Sequence, residues 1–121
     1  MTYKLGQKVW SKLQKKYMFV SQIERNGCFL ADDEKLLINY WHGNTEFNET
    51  AEDMFETLGW IKLNSYDTDI DFEKDGNKII SFNLKEQEYQ CYSYDEWRSI
   101  SISIEEHFSI TQQMKEFGWV E

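Results

Sequence analysis

The most regular pattern in the chain is an alternation. Residues Asp67-Thr68-Asp69-Ile70-Asp71-Phe72-Glu73 interleave carboxylates with smaller or apolar side chains. Period two is the strand period, so Asp67, Asp69, Asp71 and Glu73 belong on one face and Ile70 and Phe72 on the other. Successive carboxylates then stand roughly 6.6 Å apart, two residues at about 3.3 Å each. Further strands are predicted over 61–63, 78–84 and 88–94. In the 78–84 strand, Ile80, Phe82 and Leu84 share one face and Ile79, Ser81 and Asn83 the other. Tyr89, Cys91 and Ser93 likewise alternate with Gln90, Tyr92 and Tyr94. Lys74-Asp75-Gly76-Asn77 and Lys85-Glu86-Gln87 supply the turns between these strands.

Helical spacing brackets this meander. Thr50 is placed to cap a helix whose buried stripe is Met54, Phe55 and Leu58; Gly59 stops it and Trp60 can fold back on its last turn. A second helix begins at Ser103, with Glu106 at capping-box spacing. Its apolar positions are Ile104, Phe108, Met114 and Phe117, helped by Ile110 or Thr111, and Gly118-Trp119 repeats the earlier stop.

The opening residues follow a strand rhythm. Tyr17-Met18-Phe19-Val20-Ser21-Gln22-Ile23 is rich in β-formers, and Asn26-Gly27 suits a tight hairpin with positive φ angles. Cys28-Phe29-Leu30 returns, Asp32-Asp33-Glu34 turns, and Leu36 to Trp41 forms another strand. Lys8-Val9-Trp10 is a further strand candidate, with a short helix through Trp10 to Lys16 as the open alternative. Gly6-Gln7-Lys8-Val9-Trp10 followed by a hairpin resembles the start of small SH3-like barrels. His42-Gly43-Asn44 breaks the pattern, and a polar linker anchored by Phe47 runs to Glu49. The expected fold is one α+β domain over residues 1–121. It has an N-terminal antiparallel β-hairpin unit (1–45) and an α–β-meander–α block (46–121) with both helices on one sheet face. Its core should hold Met54, Phe55, Leu58, Ile70, Phe72, Ile80, Phe82, Leu84, Phe108, Met114 and Phe117.

Composition sharpens this picture. At 121 residues with 40% hydrophobic and 17% aromatic content, the chain can bury one real core. No apolar run approaches the roughly 20 residues that span a bilayer, and Met1 to Gly6 has no signal-peptide core, so no membrane association and a cytoplasmic location are expected. The net charge of −9 is unevenly spread. Residues 1–45 hold seven Lys/Arg against four Asp/Glu, and residues 46–121 six against eighteen. The acidic portion should repel nucleic acid and attract basic protein. Lys4, Lys8, Lys12, Lys15 and Lys16 form a separate basic cluster that could touch phosphate.

The segments Thr50 to Trp60, Asn77 to Leu84 and Met114 to Trp119 together resemble small acidic proteins of phages and prophages of Gram-positive bacteria. Such proteins carry patterns similar to "AEEMFEELGY", "IxFxL" and a helix ending "LGW". The resemblance covers residues 50–119 and consists of caps, core positions and helix stops, so it carries over no catalytic residue. It implies an anti-defence role in the host cytoplasm. Several anti-CRISPR proteins mimic nucleic acid and occupy the Arg/Lys grooves of a Cas nuclease.

Chemistry offers little else. Cys28 and Cys91 are isolated, and His42 and His107 have no neighbouring ligand in sequence, so no metal or cofactor is expected. Asp71 to Gly76 imitates the start of a calcium loop, but Phe82 stands where the twelfth-position carboxylate is needed. No phosphate loop, dinucleotide fingerprint or nucleophile elbow is present, and no catalytic residue is assigned. The expected function is a non-enzymatic inhibitor that presents an acidic face to a basic host defence protein such as a Cas nuclease. The face comprises Asp67, Asp69, Asp71, Glu73 and Asp75, supported by Glu86, Glu88, Asp95 and Glu96, with Tyr92, Tyr94 and Trp97 as aromatic anchors. The rivals are a structural or regulatory phage accessory protein and direct nucleic-acid binding through the N-terminal lysines. A monomer or small dimer is expected.

Overall fold

The computed structural model describes residues 3–63, 68–96 and 98–120. The chain is α+β and divides into two compact units, Met1–Thr50 and Ala51–Glu121.

The first unit is a five-stranded antiparallel sheet: β1 (Lys8–Ser11), β2 (Lys16–Glu24), β3 (Gly27–Ala31), β4 (Asn39–Gly43) and β5 (Phe47–Glu49), in the order β4-β3-β2-β1-β5. Trp10 pairs with Tyr17 on one side and Asn48 on the other, so the helical alternative over Trp10 to Lys16 is excluded. The fifth strand returns to pair with the first, antiparallel. Val9, Met18, Val20, Cys28, Leu30 and Phe47 point inward as the core, with Tyr3 packed against them.

Several boundaries differ from expectation. Leu36 has φ 57°, which ends any extended run there, so β4 starts at Asn39 and leaves Leu37 and Ile38 exposed. The strand then continues through His42, whose ring is buried. The expected polar linker instead contains β5, because Phe47 fills the core and Phe47–Glu49 pairs with β1. That pairing moves the unit boundary to Thr50. The β2–β3 turn is Arg25-Asn26, since Glu24 pairs with Gly27, and Gly27 does not have positive φ. Gly27 is needed for space: an added Cβ would lie 2.2 Å from the His42 carbonyl oxygen.

The second unit runs α1 (Ala51–Thr57), β6 (Ile61–Lys62), β7 (Asp69–Lys74), β8 (Lys78–Asn83), β9 (Glu88–Ser93) and α2 (Ile104–Phe117). Its antiparallel sheet has the order β6-β7-β8-β9. Both helices cover the same sheet face. Phe55 of α1 stacks on Phe72 at 4.2 Å, and Phe117 of α2 meets Phe82 edge-on at 5.7 Å. Ala51, Phe55, Trp60, Phe72, Ile80, Phe82 and Ile110 are the buried core, with Leu58, Ile70, Met114 and Phe117 packed around it. Full burial of each large side chain contributes about 1.5–3 kcal/mol. Met54 and Leu84 are only half-buried.

Phe108 corrects the expected core: it is 57% exposed, and Ile104 is 65% exposed. These two residues, four apart, share the outer side of α2, while Ile110, Gln113 and Phe117 define the inner side. The helix stops match as expected. Trp60 donates its N–H to the Phe55 carbonyl and Gly59 to Glu56; Trp119 donates to Met114 and Gly118 to Lys115. Both are Schellman closures, and Gly59 (φ 89°) and Gly118 (φ 81°) supply the left-handed residue.

Candidate functional site

The outer face of the second unit's sheet carries the site. Strand alternation sends Phe72, Ile80 and Phe82 to the helices and leaves their neighbours outward. Register then builds rows across the strands: Asp69 opposite Asn83 opposite Glu88, and Asp71 opposite Ser81 opposite Gln90. A third row runs Ile61, Glu73, Ile79, Tyr92. Among the described residues, no Lys, Arg or His lies within ion-pair distance of Asp69, Asp71 or Glu73. Asp71 Oδ1 is out of contact with solvent and accepts no hydrogen bond. A hollow of about 130 Å³ lined by Asp69, Ser81, Asn83, Glu88 and Gln90 lies on this face.

Most of the expected residues are brought together. Asp69, Asp71, Glu73, Glu88 and Tyr92 share the face itself. Tyr92 reports their proximity: burial raises its phenol pKa, and the charges of Asp71, Tyr94 and Asp69 raise it further. Glu86 sits in the β8–β9 turn, its N–H held by Asn83 Oδ1 at 2.8 Å. At the other end of the sheet, Asp75 lies in the β7–β8 turn and pairs with Lys78 at 3.7 Å. Tyr94 joins that end by donating its N–H to the Asn77 carbonyl at 2.6 Å. Asp95 and Glu96 follow, both exposed, with Glu96 paired to Arg98. Asp67 and Trp97 lie outside the described residues.

Glu106 holds the helical layer under this sheet. Its Oε1 accepts the Ser103 N–H at 2.8 Å, Ser103 Oγ accepts the Glu106 N–H, and Oε2 accepts Trp60 Nε1 at 2.6 Å. Lys74 stands 3.9 Å away. Burial opposes ionisation of Glu106, but the hydrogen bonds from Ser103 and Trp60 and the Lys74 charge outweigh it, lowering its pKa below the ordinary 4.5.

A nucleophile–base geometry occurs where the sequence reading did not seek it. In the first unit, Ser11 Oγ and His42 Nε2 are 2.6 Å apart, and His42 Nδ1 lies 3.1 Å from the Tyr40 carbonyl oxygen. A carbonyl only accepts, so Nδ1 is the donor to Tyr40, and Nε2 shares the second hydrogen bond with the Ser11 hydroxyl. Ser11 Oγ also accepts the Gln14 N–H at 3.0 Å. Both side chains are fully buried, so no substrate reaches them. Their bond ties β4 to β1, which are not neighbours in the sheet. Nothing in the spacing of Ser11 and His42, 31 positions apart, signals this pair.

The cysteines are not activated. Burial raises the Cys28 thiol, and burial followed by the Glu106 charge pushes Cys91 to about 11. Both are therefore protonated near neutrality. Among the described residues, no cluster of three or more His, Cys, Asp or Glu is arranged to hold a metal ion. None of the described helices is long and apolar enough to cross a membrane. No family model, curated protein or solved structure matches the chain.

Proposed function

We propose that the chain is a non-enzymatic binding protein whose outer sheet face docks on a basic, nucleic-acid-binding groove of another protein. The carrying observation is the run Asp69, Asp71 and Glu73 on β7, aligned on one face with no cation among the described residues within ion-pair distance. Such a row costs little in water and gains most when a Lys or Arg arrives. Ser81, Asn83 and Gln90 add hydroxyl and amide groups between the acids. The half-buried Tyr92 and the exposed Tyr94 give the face aromatic contacts of the kind that anchor interfaces.

The specific form of this proposal is a phage anti-defence inhibitor acting in the host cytoplasm on a Cas nuclease, whose guide or target channel is lined with cations. The test measures binding of the purified chain to such a nuclease and inhibition of its DNA cleavage, across a salt series. Asp69→Asn, Asp71→Asn and Glu73→Gln together should weaken capture at least about tenfold and flatten its salt dependence. Unchanged affinity in that variant would remove the face from the interaction. Salt-resistant capture of a protein without a nucleic-acid groove would instead favour a structural accessory role.

A further inference from the structure

We infer that the outer face of the β1–β2 hairpin in the first unit is a separate binding surface for single-stranded nucleic acid. Alternation sends Val9, Ser11, Met18 and Val20 into the core, so Lys8, Trp10, Tyr17 and Phe19 lie outward. Trp10 and Tyr17 are direct cross-strand partners with rings 5.1 Å apart, meeting edge to face. Lys8 Nζ stands 4.3 Å above the Tyr17 ring centre, and Tyr17 remains 37% exposed. Lys12, Lys15 and Lys16 are exposed at the hairpin tip, where Lys15 adopts φ 54° to make the turn. Residues 1–23 contain five lysines and no acid, in a chain that is otherwise strongly acidic. Aromatic rings beside a row of ammonium groups match the two repeating chemistries of a single strand, base faces and phosphates. A duplex hides its base faces, so it satisfies only the lysines. An acidic peptide has the charge but no stack of planar rings to meet Trp10 and Tyr17.

The occupant is therefore a single strand, bound by stacking on the hairpin's aromatic pair and by phosphate contacts at its tip. Lys16 is shared with Asp32 at 2.6 Å, which leaves Lys8, Lys12 and Lys15 without an acidic partner among the described ion pairs. This surface is distinct from the acidic sheet face of the second unit, and each can fail without the other.

The test is fluorescence anisotropy of the full chain with labelled oligo-dT and oligo-U, a duplex of equal length, and a polyglutamate peptide. Each single strand should bind at low salt, more tightly than the duplex, and polyglutamate should not bind. Affinity should fall with salt at a log–log slope of roughly −0.7 per phosphate neutralised. Lys8→Gln, Lys12→Gln and Lys15→Gln together should make that slope shallower by about 2 and weaken binding at least about tenfold. Tyr17→Leu should weaken binding roughly fivefold or more while leaving the slope unchanged. Near-UV circular dichroism establishes that each variant is folded, and Asp69→Asn/Asp71→Asn/Glu73→Gln should still bind the strand. Absence of binding at low salt, equal binding of polyglutamate or duplex, or a triple-lysine variant that binds like the parent overturns the proposal.

Discussion

Glu106 shows how much one side chain can organise when its neighbours are donors. A carboxylate at the third position of α2 is ordinary capping chemistry; here the same group also takes Trp60 Nε1 and lies near Lys74. Its pKa is lower folded than unfolded, so the charged form contributes stability above the ordinary value of 4.5. That contribution disappears as pH falls through the lowered folded value. Glu106→Gln should therefore destabilise the second unit at neutral pH and make its stability fall less steeply on acidification below 4.5. Urea melts followed by tryptophan fluorescence at a series of pH values check both. Gly27 is the opposite case, a residue required for what it lacks. Gly27→Ala would press a methyl into the His42 carbonyl and the Trp41 ring, and should cost at least about 1–3 kcal/mol in the same melts. The capping box was legible from Ser103 and Glu106 alone, because it is local. The role of Gly27 was not, because the group it makes room for lies on β4, which pairs with β3 after a loop.

The helix α2 carries two possible apolar stripes, and sequence could not choose between them. Ile104 and Phe108 are one, Ile110, Met114 and Phe117 the other, and both obey the 3.6-residue period. The structure turns the second inward together with Glu106, Ser109 and Gln113, so polar groups occupy core-side positions where hydrophobic counting expected Phe108. Trp60 and the Schellman closure at Gly118-Trp119 fix this phase, since both need the Glu106 and Phe117 side of the helix to face the sheet. A paired measurement checks the phase. Ile110→Ala should cost about 2–5 kcal/mol, whereas Phe108→Gln should stay within about 0.5 kcal/mol of the parent. Strands behaved differently. The period-two reading of β7, β8 and β9 held, because a one-residue slip would have driven Asp69 and Asp71 into the aromatic core. β5 escaped detection because three residues carry too little pattern; pairing with β1 and the burial of Phe47 define it.

At the scale of the molecule, charge decides how copies meet. The first unit holds seven Lys/Arg and six Asp/Glu, the second six and sixteen, so Ala51–Glu121 carries −10 against +1 for the first unit. Two forces then compete in self-association. Opposite patches, the lysine hairpin and the β7 carboxylates, attract at short range, while the net charges repel over a Debye length that reaches about 30 Å at 0.01 M salt. Attraction between a few exposed ions is weak, on the order of 0–1 kcal/mol per pair, and cannot offset the entropy of association by itself. Apolar contact could: Leu37 (77% exposed), Ile38 and Trp41 supply uncovered hydrophobic area at one edge of the first unit. The two contributions respond oppositely to salt, since screening weakens patch pairing but removes the repulsion that opposes apolar contact. We therefore expect a monomer at low salt, with any dimer becoming more populated as salt rises. Leu37→Ser with Ile38→Ser should abolish such a dimer without lowering stability by more than about 0.5 kcal/mol, because both side chains are already in water. Sedimentation velocity at low and moderate ionic strength reads this directly. Large assemblies at low salt that dissolve on adding salt would mean that the opposite patches dominate, and would place the β7 carboxylates in self-contact rather than in reach of a basic partner.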